Sequence, residues 1–466
     1  MSGDKSSQIN QIFLDYGVPN GWVSKKLREV VINKKGKLPR QLNEKPWSGS
    51  VPHIDIDAFD RGNINRYSDR ESAVIVQKGD LIVVWDGARC GLVGKAPFEG
   101  SLGSTLMTLK SLQINSNYLF FVLRSYFKII NSNPRGIGIP HVEPEIFWNL
   151  EIPLPPFTEQ QHIVAHVEGL LEHINAARDR LNRVLLIIKR FRQGVLAAAC
   201  EGRLTEDWRE MNPNEWPACG LIQQIKIIRQ KQTTPKITNK SKTFEDAEFG
   251  NIPEDSIDIP DSWIWCKIQD VVQVQLGGTP SRKEPAYWGG DISWVSSGEV
   301  ANNRIQTTRE KITVLGLKNS NAKLYPKGTV LVAMIGEGKT RGQSAILDIE
   351  ATTNQNVAGL VFDTDKIFNE FVWLWALSQY EKTRAVGRGG EQPALNGEKV
   401  RNLILALPPL AEQHEIVRRV NALFKHADAI EREVVVATKR TEALTQAVLG
   451  KAFRGELLDK SYTHDR

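Results

Sequence analysis

The sequence predicts an α+β protein. Two globular domains with mainly antiparallel sheets are separated by two long helices that form an antiparallel coiled coil, and the whole is an internal pseudo-two-fold repeat. Three observations carry this reading. One stretch occurs twice, at 149–204 and 402–457; adding 253 maps one copy onto the other without a gap, and nineteen of the 56 paired positions are identical. Unrelated segments of ordinary composition would share roughly three or four. Each copy carries a long apolar seam whose spacing alternates four, three, four, three, the signature of a coiled-coil helix. Each copy also follows a domain-sized segment of short Val-, Ile- and Trp-rich runs punctuated by Gly, Asn, Asp and Pro, a pattern of strands and turns. The expected division is a first domain at 1–150, a helical spacer at 151–204, a linker at 205–258, a second domain at 259–401, a second spacer at 402–457 and a tail at 458–466.

In chain order, residues 1–17 are polar and read as a loose lead-in helix. Val18-Pro-Asn-Gly-Trp22 and Ile259-Pro-Asp-Ser-Trp263 open the two domains, each a turn followed by a Trp-anchored strand at 22–31 and 263–274. Lys78-Gly-Asp-Leu-Ile-Val83 parallels Lys327-Gly-Thr-Val-Leu-Val332 as a turn feeding a strand, and Arg135-Gly136 parallels Arg388-Gly389 at the 253 spacing. Aromatic helical segments at 117–130 and 369–383 lead to the stops Leu154-Pro155-Pro156 and Leu407-Pro408-Pro409. Thr158 reads as an N-cap, with Gln161 completing a capping box.

The first seam is Ile163, Val167, Leu170, Ile174, Ala177, Leu181, Val184, Ile188, Phe191 and Val195. The second is Ile416, Val420, Leu423, Ala427, Ile430, Val434, Ala437, Thr441, Leu444 and Val448. Each helix, from about 160 to 199 or 413 to 452, spans roughly 60 Å at 1.5 Å per residue. Neither can bury its seam alone. The simplest partner for each is the other, lying antiparallel with a domain at either end; the alternative is that each packs on its own neighbouring domain. After the first helix, Leu204-Thr-Glu-Asp-Trp208 leads into a polar linker, a short helix and then mobile chain. The last residues, 459–466, read as a frayed end.

Composition narrows the function. With 466 residues, 41% hydrophobic and 24% charged, the chain is of the globular class. No apolar run approaches the 18 residues of a membrane span, and the first residues lack the apolar core of a secretory signal; a cytoplasmic location is expected. Cys90, Cys200, Cys219 and Cys266 are scattered, with neither zinc-ligand nor disulfide-framework spacing. His162 and His166 stand at i, i+4 without a third ligand and read as solvated helix residues. The net charge is +6, with 19 Lys+Arg against 14 Asp+Glu over 1–150 and 17 against 15 over 259–401. That balance permits a polyanion partner without demanding one.

Catalytic motifs fail on inspection. Leu154-Pro-Pro-Phe157 is close to the Asp/Asn-Pro-Pro-Tyr/Phe loop of adenine methyltransferases, but leucine supplies no oxygen to accept from the target amine. The E-x-K string Glu337-Gly338-Lys339 has no upstream Asp between Asp291 and Asp348, so the metal ligand that carboxylate nuclease chemistry needs is missing unless Glu310 substitutes. No phosphate-cradling G-x-x-x-x-G-K-[ST] loop exists. What remains are polar, Gly-rich loops with basic residues. Glycines let backbone amides approach phosphates, while Arg, Gln and Asn match guanine and adenine edges in the major groove. The candidate DNA-contacting residues are Lys34, Lys35, Arg89, Arg135 and His141 in the first domain. In the second they are Arg282, Lys283, Lys339, Arg341, Gln343, Arg388 and Gln392. Any one such loop can equally be a solvated turn; two such domains on one rigid spacer favour nucleic acid.

At the duplicated stretches the chain closely resembles the specificity (S) subunits of type I restriction–modification enzymes. The resemblance is carried by Leu-Pro-Pro followed by Glu159-Gln160 or Glu412-Gln413 and a long helix, then Lys189-Arg-Phe-Arg-Gln-Gly-Val-Leu196 with Gly202-Arg-Leu-Thr-Glu-Asp-Trp208, and Leu449-Gly-Lys-Ala-Phe-Arg-Gly-Glu-Leu457. Gly278-Thr-Pro280, Tyr287-Trp-Gly-Gly-Asp-Ile-Ser-Trp-Val295 and Asn354-Gln-Asn356 look like that family's target-recognition domains. The first domain lacks the Tyr-Trp-Gly-Gly string. The resemblance implies two target-recognition domains, each reading one half of a split site in double-stranded DNA, with helices that fix the unread gap. It implies a non-catalytic chain that recruits two methyltransferase (M) subunits and two ATP-driven restriction (R) subunits. S-adenosylmethionine, ATP and Mg would then sit on those partners and none on this chain. The long helices, with Glu159-Gln160 and Glu412-Gln413 at their starts, are expected to carry structure and M-subunit docking and not DNA reading. The rival readings are a coiled-coil scaffold without a DNA role and a fused methyltransferase or nuclease.

Overall fold

Each half of the chain closes on itself through a two-stranded sheet. Val23–Lys26 pairs antiparallel with Glu151–Leu154, and Ile264–Lys267 pairs antiparallel with Ile404–Leu407. The strand after the opening Trp is thus tied to the strand before Pro-Pro, in both copies. A computed structural model describes residues 19–111, 113–136, 138–232, 258–336, 338–385 and 395–457. The expected lead-in helix at 1–17, the tail at 458–466 and most of the linker after Gln232 lie outside the described residues. Two compact units result: unit 1 is Met1–Arg183 with Val434–Arg466, and unit 2 is Val184–Glu433.

Unit 1 contains a four-stranded antiparallel sheet, in the order Ile32–Lys35, Leu106–Lys110, Leu81–Val84, Val93–Lys95. A five-stranded sheet is built on Ser50–Ile54 and Gly100–Leu102. Unit 2 contains a five-stranded sheet, in the order Gln273–Leu276, Val357–Val361, Val330–Ala333, Ser344–Leu347, Asn303–Ile305. Its three-stranded sheet centres on Trp288–Val295. Among the described residues, parallel pairing is confined to Ser50–Ile54 with Gly100–Leu102, Asn303–Ile305 with Ser344–Leu347, and Trp288–Val295 with Thr352–Thr353. The mainly antiparallel α+β expectation holds.

Two local expectations do not. The strands at 22–31 and 263–274 are each interrupted by one helical turn, Leu27–Val30 and Ile268–Val271. Leu27 with Val30, and Ile268 with Val271, are all buried. Apolar residues three apart bury on one side only if the backbone turns helically between them. The aromatic helices are also split, into Ser116–Ser125 with Phe127–Ser132 and Asn369–Ser378 with Tyr380–Ala385. At Tyr126 and Gln379 the amide reaches a carbonyl three residues back (Leu123 and Ala376, both 3.2 Å), which tightens the helix at the joint.

The long helices run Phe157–Cys200 and Leu410–Phe453, 44 residues each, or about 66 Å. Thr158 is not the N-cap. The first bonds run from Gln160 N–H to the Pro156 carbonyl (3.0 Å) and from Gln413 N–H to Pro409 (2.9 Å), placing Thr158 exposed in the first turn. Proline ahead of a helix loses no intrahelical donor.

In unit 1, Ile163, Val167 and Leu171 of the first helix share a core with Leu449, Ala452 and Phe453 of the second. In unit 2, Val195, Leu196 and Ala199 share a core with Ile416, Val417 and Val420, and Arg192 bonds Asp428 at 2.5 Å and Glu431 at 3.0 Å. Within each unit the helices are therefore partners and run antiparallel. They also pack on that unit's sheets, so both packing alternatives are realised together.

Most of the predicted seam is correct. Ile163, Val167, Ile188, Ile416, Val420 and Val434 are buried, and Ile174, Leu181 and Leu423 are half-buried. Leu170, Phe191, Ile430 and Leu444 are corrections: they are 40%, 41%, 51% and 52% exposed, while Leu171 is 7% exposed. Beside a sheet, the first helix buries 163, 167 and 171 in steps of four. That is the broad stripe of a core-facing helix, which the narrow heptad seam misplaces by one position.

The Glu-Gln pairs are interior joints. Trp22 Nε1 donates to Glu159 Oε1 (3.1 Å), and Trp263 Nε1 to Glu412 Oε2 (2.8 Å). Gln160 accepts from the Asn115 amide (2.9 Å) and donates to the Pro155 carbonyl (3.0 Å). Gln413 does the same with Phe368 (2.8 Å) and Pro408 (3.0 Å). The repeated Pro-Pro-x-x-Glu-Gln string thus fastens the opening Trp, the aromatic helix and the helix start to one another.

Candidate nucleic-acid interface

In unit 1 the site forms at the turn between strands Leu81–Val84 and Val93–Lys95. Val84 N–H donates to Leu92 O (2.8 Å) and Gly91 N–H to Val84 O (2.7 Å), which closes a loop of residues 85–90. Gly91 has φ +88°, and a Cβ there would lie 2.4 Å from Ile130 Cγ2, so the closure needs glycine. Asp86 in this loop holds two of the predicted residues, Lys35 Nζ at 3.0 Å and His141 Nδ1 at 2.7 Å. Arg135 and His141 exchange backbone hydrogen bonds (2.9 and 3.0 Å), making a narrow hairpin whose Pro140 carbonyl accepts from Gly87 N–H at 2.7 Å. Arg89 extends from the same loop to Asp60 at 2.5 Å. Lys35, Arg89, Arg135 and His141, scattered over the sequence, are thus gathered around one turn, with exposed Lys34 beside Lys35 on its strand. Asp86, the shared partner of Lys35 and His141, carries no motif in the sequence; its place between Trp85 and the Gly87 turn is the available sign.

Unit 2 repeats the device between strands Val330–Ala333 and Ser344–Leu347. Ala333 N–H donates to Gln343 O (2.9 Å) and Gly342 N–H to Ala333 O (2.8 Å), closing a longer loop of residues 334–341. Gly342 has φ +80°, with Thr383 Cγ2 3.1 Å from where its Cβ would be. Lys339 is exposed on this loop; Arg341 is half-buried, and its Nε has no hydrogen-bond partner among the described residues. Gln343 follows the loop, its carbonyl in the closing bond to Ala333. Helix Tyr380–Ala385 braces it: Tyr380 Oη donates to Lys339 O (2.9 Å) and Arg384 Nη1 to Gly338 O (2.6 Å).

Arg282 and Lys283 stand on a separate loop. Arg282 forks onto Glu310, with Nη2 to Oε2 at 2.8 Å, and its guanidinium lies 3.7 Å over the Trp288 ring. The hydrogen bonds and charge of Glu310 raise its pKa above the usual arginine value. A fork already spent on a carboxylate and an aromatic face has few donors left for a base edge. Lys283 is exposed. Arg388 and Gln392 lie outside the described residues. Among the described residues no group of three His, Cys, Asp or Glu is placed to hold a metal, and no helix is long and apolar enough to cross a membrane.

Residues 19–185 and 260–435 each match the family model described as the type I restriction modification DNA specificity domain. The chain belongs to the type I specificity family. The two matches begin at the Pro-Asn-Gly-Trp and Pro-Asp-Ser-Trp turns, so the sequence duplication is a duplication of the type I specificity domain. Similar relatives are the type I restriction enzyme EcoDI specificity subunit of Escherichia coli, 27% identical over 444 residues covering 94% of this chain and 89% of the relative, and the EcoBI specificity subunit of Escherichia coli, 29% identical over 414 residues covering 87% and 80%. In fold, the chain is similar to a solved structure of a type I R-M system. The TM-score is 0.67 at 19% identity, covering 95% of this chain and all of the other.

Proposed function

We propose that this chain is the DNA sequence-specificity subunit of a type I restriction–modification complex. Each unit reads one half of a bipartite, asymmetric site in double-stranded DNA. The observation that carries this reading is the closed hairpin loop that recurs in both units, 85–90 and 334–341, each presenting basic side chains beside a glycine-closed turn. Binding strength comes mainly from phosphates neutralised by Lys34, Lys35, Arg89, Arg135 and Lys339. Selection comes from base-edge contacts, for which Arg341 and Gln343 have the donors and acceptors. The long helices set the unread gap between the halves. Two methyltransferase subunits and two restriction subunits dock on the chain and bring S-adenosylmethionine, ATP and Mg, and the chain itself does no chemistry. With Glu412, Gln160 and Gln413 buried in the fold, docking falls to the outer faces of the helices.

The test is methylated-adenine mapping in the host strain with a four-residue insertion in the first long helix near Leu181. That insertion adds about 6 Å of helix, and the preferred gap between half-sites should widen. An unchanged gap would remove the spacer role. Methyl transfer or cutting by the isolated chain would favour the fused enzyme, and indifference to every duplex would favour a scaffold.

A further inference from the structure

The two hairpin loops share a second feature, at positions related by the repeat. Ile130 and Thr383 are 253 apart, as are Asn131 and Arg384. Ile130 packs where a side chain on Gly91 would be, and Thr383 faces Gly342 in the same way. The next residue in each case reaches into the loop from behind. Asn131 Nδ2 donates to the carbonyls of Ala88 (3.0 Å) and Cys90 (3.1 Å); Arg384 Nη1 donates to the carbonyl of Gly338 (2.6 Å). The side chains differ as their loops differ. The short amide serves the six-residue loop 85–90, and the long guanidinium serves the eight-residue loop 334–341.

We propose that Asn131 and Arg384 are positioning residues for DNA reading, each clamping the recognition loop of its unit by its backbone carbonyls. This rests on the reading of these loops as the DNA-contacting elements. Two physical effects favour it. A carbonyl bonded to the protein is withheld from the phosphate oxygens, which would repel it, so the loop offers donors to the backbone. A loop held in one shape also loses less freedom on binding, which raises affinity for the matching site above that for near-matches. Neither residue needs to touch DNA. The clamp also leaves room for change: a loop of new length can be fastened by a side chain of new length at one fixed position.

The experiment is methylated-adenine mapping in the host strain carrying full-length Arg384→Ala, with Arg384→Lys, Tyr380→Phe, Asn131→Ala and Arg341→Ala in parallel. Arg384→Ala should broaden the methylated sequence in one half only, admitting near-match sites about tenfold more often relative to the cognate site, and Asn131→Ala should do so in the other half. Arg384→Lys, which keeps a donor, should recover most of the selectivity; Tyr380→Phe, which removes a single hydroxyl, should broaden the same half more weakly. A merely structural role would lower methylation at all sites together without broadening any. That uniform loss, or an unchanged sequence, overturns the clamp. If Arg341→Ala broadens the half-site while Arg384→Ala does not, the loop reads DNA and the clamp alone is wrong. If neither variant shifts it, the loop reading fails and the clamp with it.

Discussion

Trp263 donates its indole N–H to Glu412 across 2.8 Å, and the other oxygen of that carboxylate accepts from Thr205 (2.7 Å) and Arg209 (2.6 Å). The matched pair in unit 1, Trp22 and Glu159, keeps the indole bond at 3.1 Å, and Glu159 is only half-buried. One joint therefore has two settings, a sealed one in unit 2 and a more open one in unit 1.

Replacing Glu412 should consequently cost far more than replacing Glu159. Glu412→Ala strands a buried indole N–H, a hydroxyl and a guanidinium together, at a cost of roughly 3–5 kcal/mol. Glu159→Ala removes one partly exposed hydrogen bond, about 1 kcal/mol. Urea unfolding of the two variants measures both, and equal losses would contradict the asymmetry.

Adjacent leucines on the first long helix should separate cleanly. Leu171→Ala opens a buried site shared with the unit 1 core and should destabilise by about 2–5 kcal/mol. Leu170→Ala, at an exposed position, should stay within about 0.5 kcal/mol. A reversed order in thermal melts would restore the strict heptad seam.

The four thiols should label unequally. Cys219 is exposed, Cys90 and Cys266 are buried, and burial pushes Cys200 up to about 11 and raises Cys90 and Cys266 as well. The thiolate is the reacting form. Iodoacetamide on the native chain should modify Cys219 first and alone, read by peptide mass spectrometry. Early labelling at Cys266 would mean that the core of unit 2 opens readily.

Acid should weaken unit 2 through Glu415. Hydrogen bonds from Arg418 and Arg419 draw its carboxyl from an ordinary 4.5 down to about 2. A carboxyl lowered on folding adds stability above its unfolded value, and that contribution fades as pH falls through the folded one. The melting-temperature gap between the native chain and Glu415→Gln should therefore be full at pH 6, shrink below about pH 4.5 and nearly close by pH 2. A gap independent of pH would show that the ion pairs hold nothing.

The large features were legible because they are periodic or repeated. The 253 offset exposed the duplication, the spacing of Ile163 and Val167 placed the helices, and the Pro-Pro strings marked where they start. What periodicity cannot reveal is which neighbour takes a side chain once the helix is placed. Leu170 and Leu171 are equivalent as leucines, and only the sheet behind Leu171 decides between them. Helical turns of four residues, such as Leu27–Val30, are too short to show a period. In the candidate site, basic residues on Gly-rich loops could be picked out one by one, and in unit 1 they converge. Their fixed partners could not. Arg282 reads as a free donor until Glu310 and Trp288 arrive from elsewhere in the chain, and Asn131 and Arg384 carry no signal except their matched numbers.

Unit 1 draws on both sides of unit 2 in the sequence: its sheets precede residue 184 and its second helical segment follows residue 433. A ribosome making this chain therefore delivers every residue of unit 2 before Leu449, Ala452 and Phe453 exist to cover Ile163, Val167 and Leu171. The half begun earliest is the half completed last. During translation its uncovered apolar helix face is the surface a chaperone would have to guard, and nascent chains halted before residue 434 should show it as the protease-sensitive part.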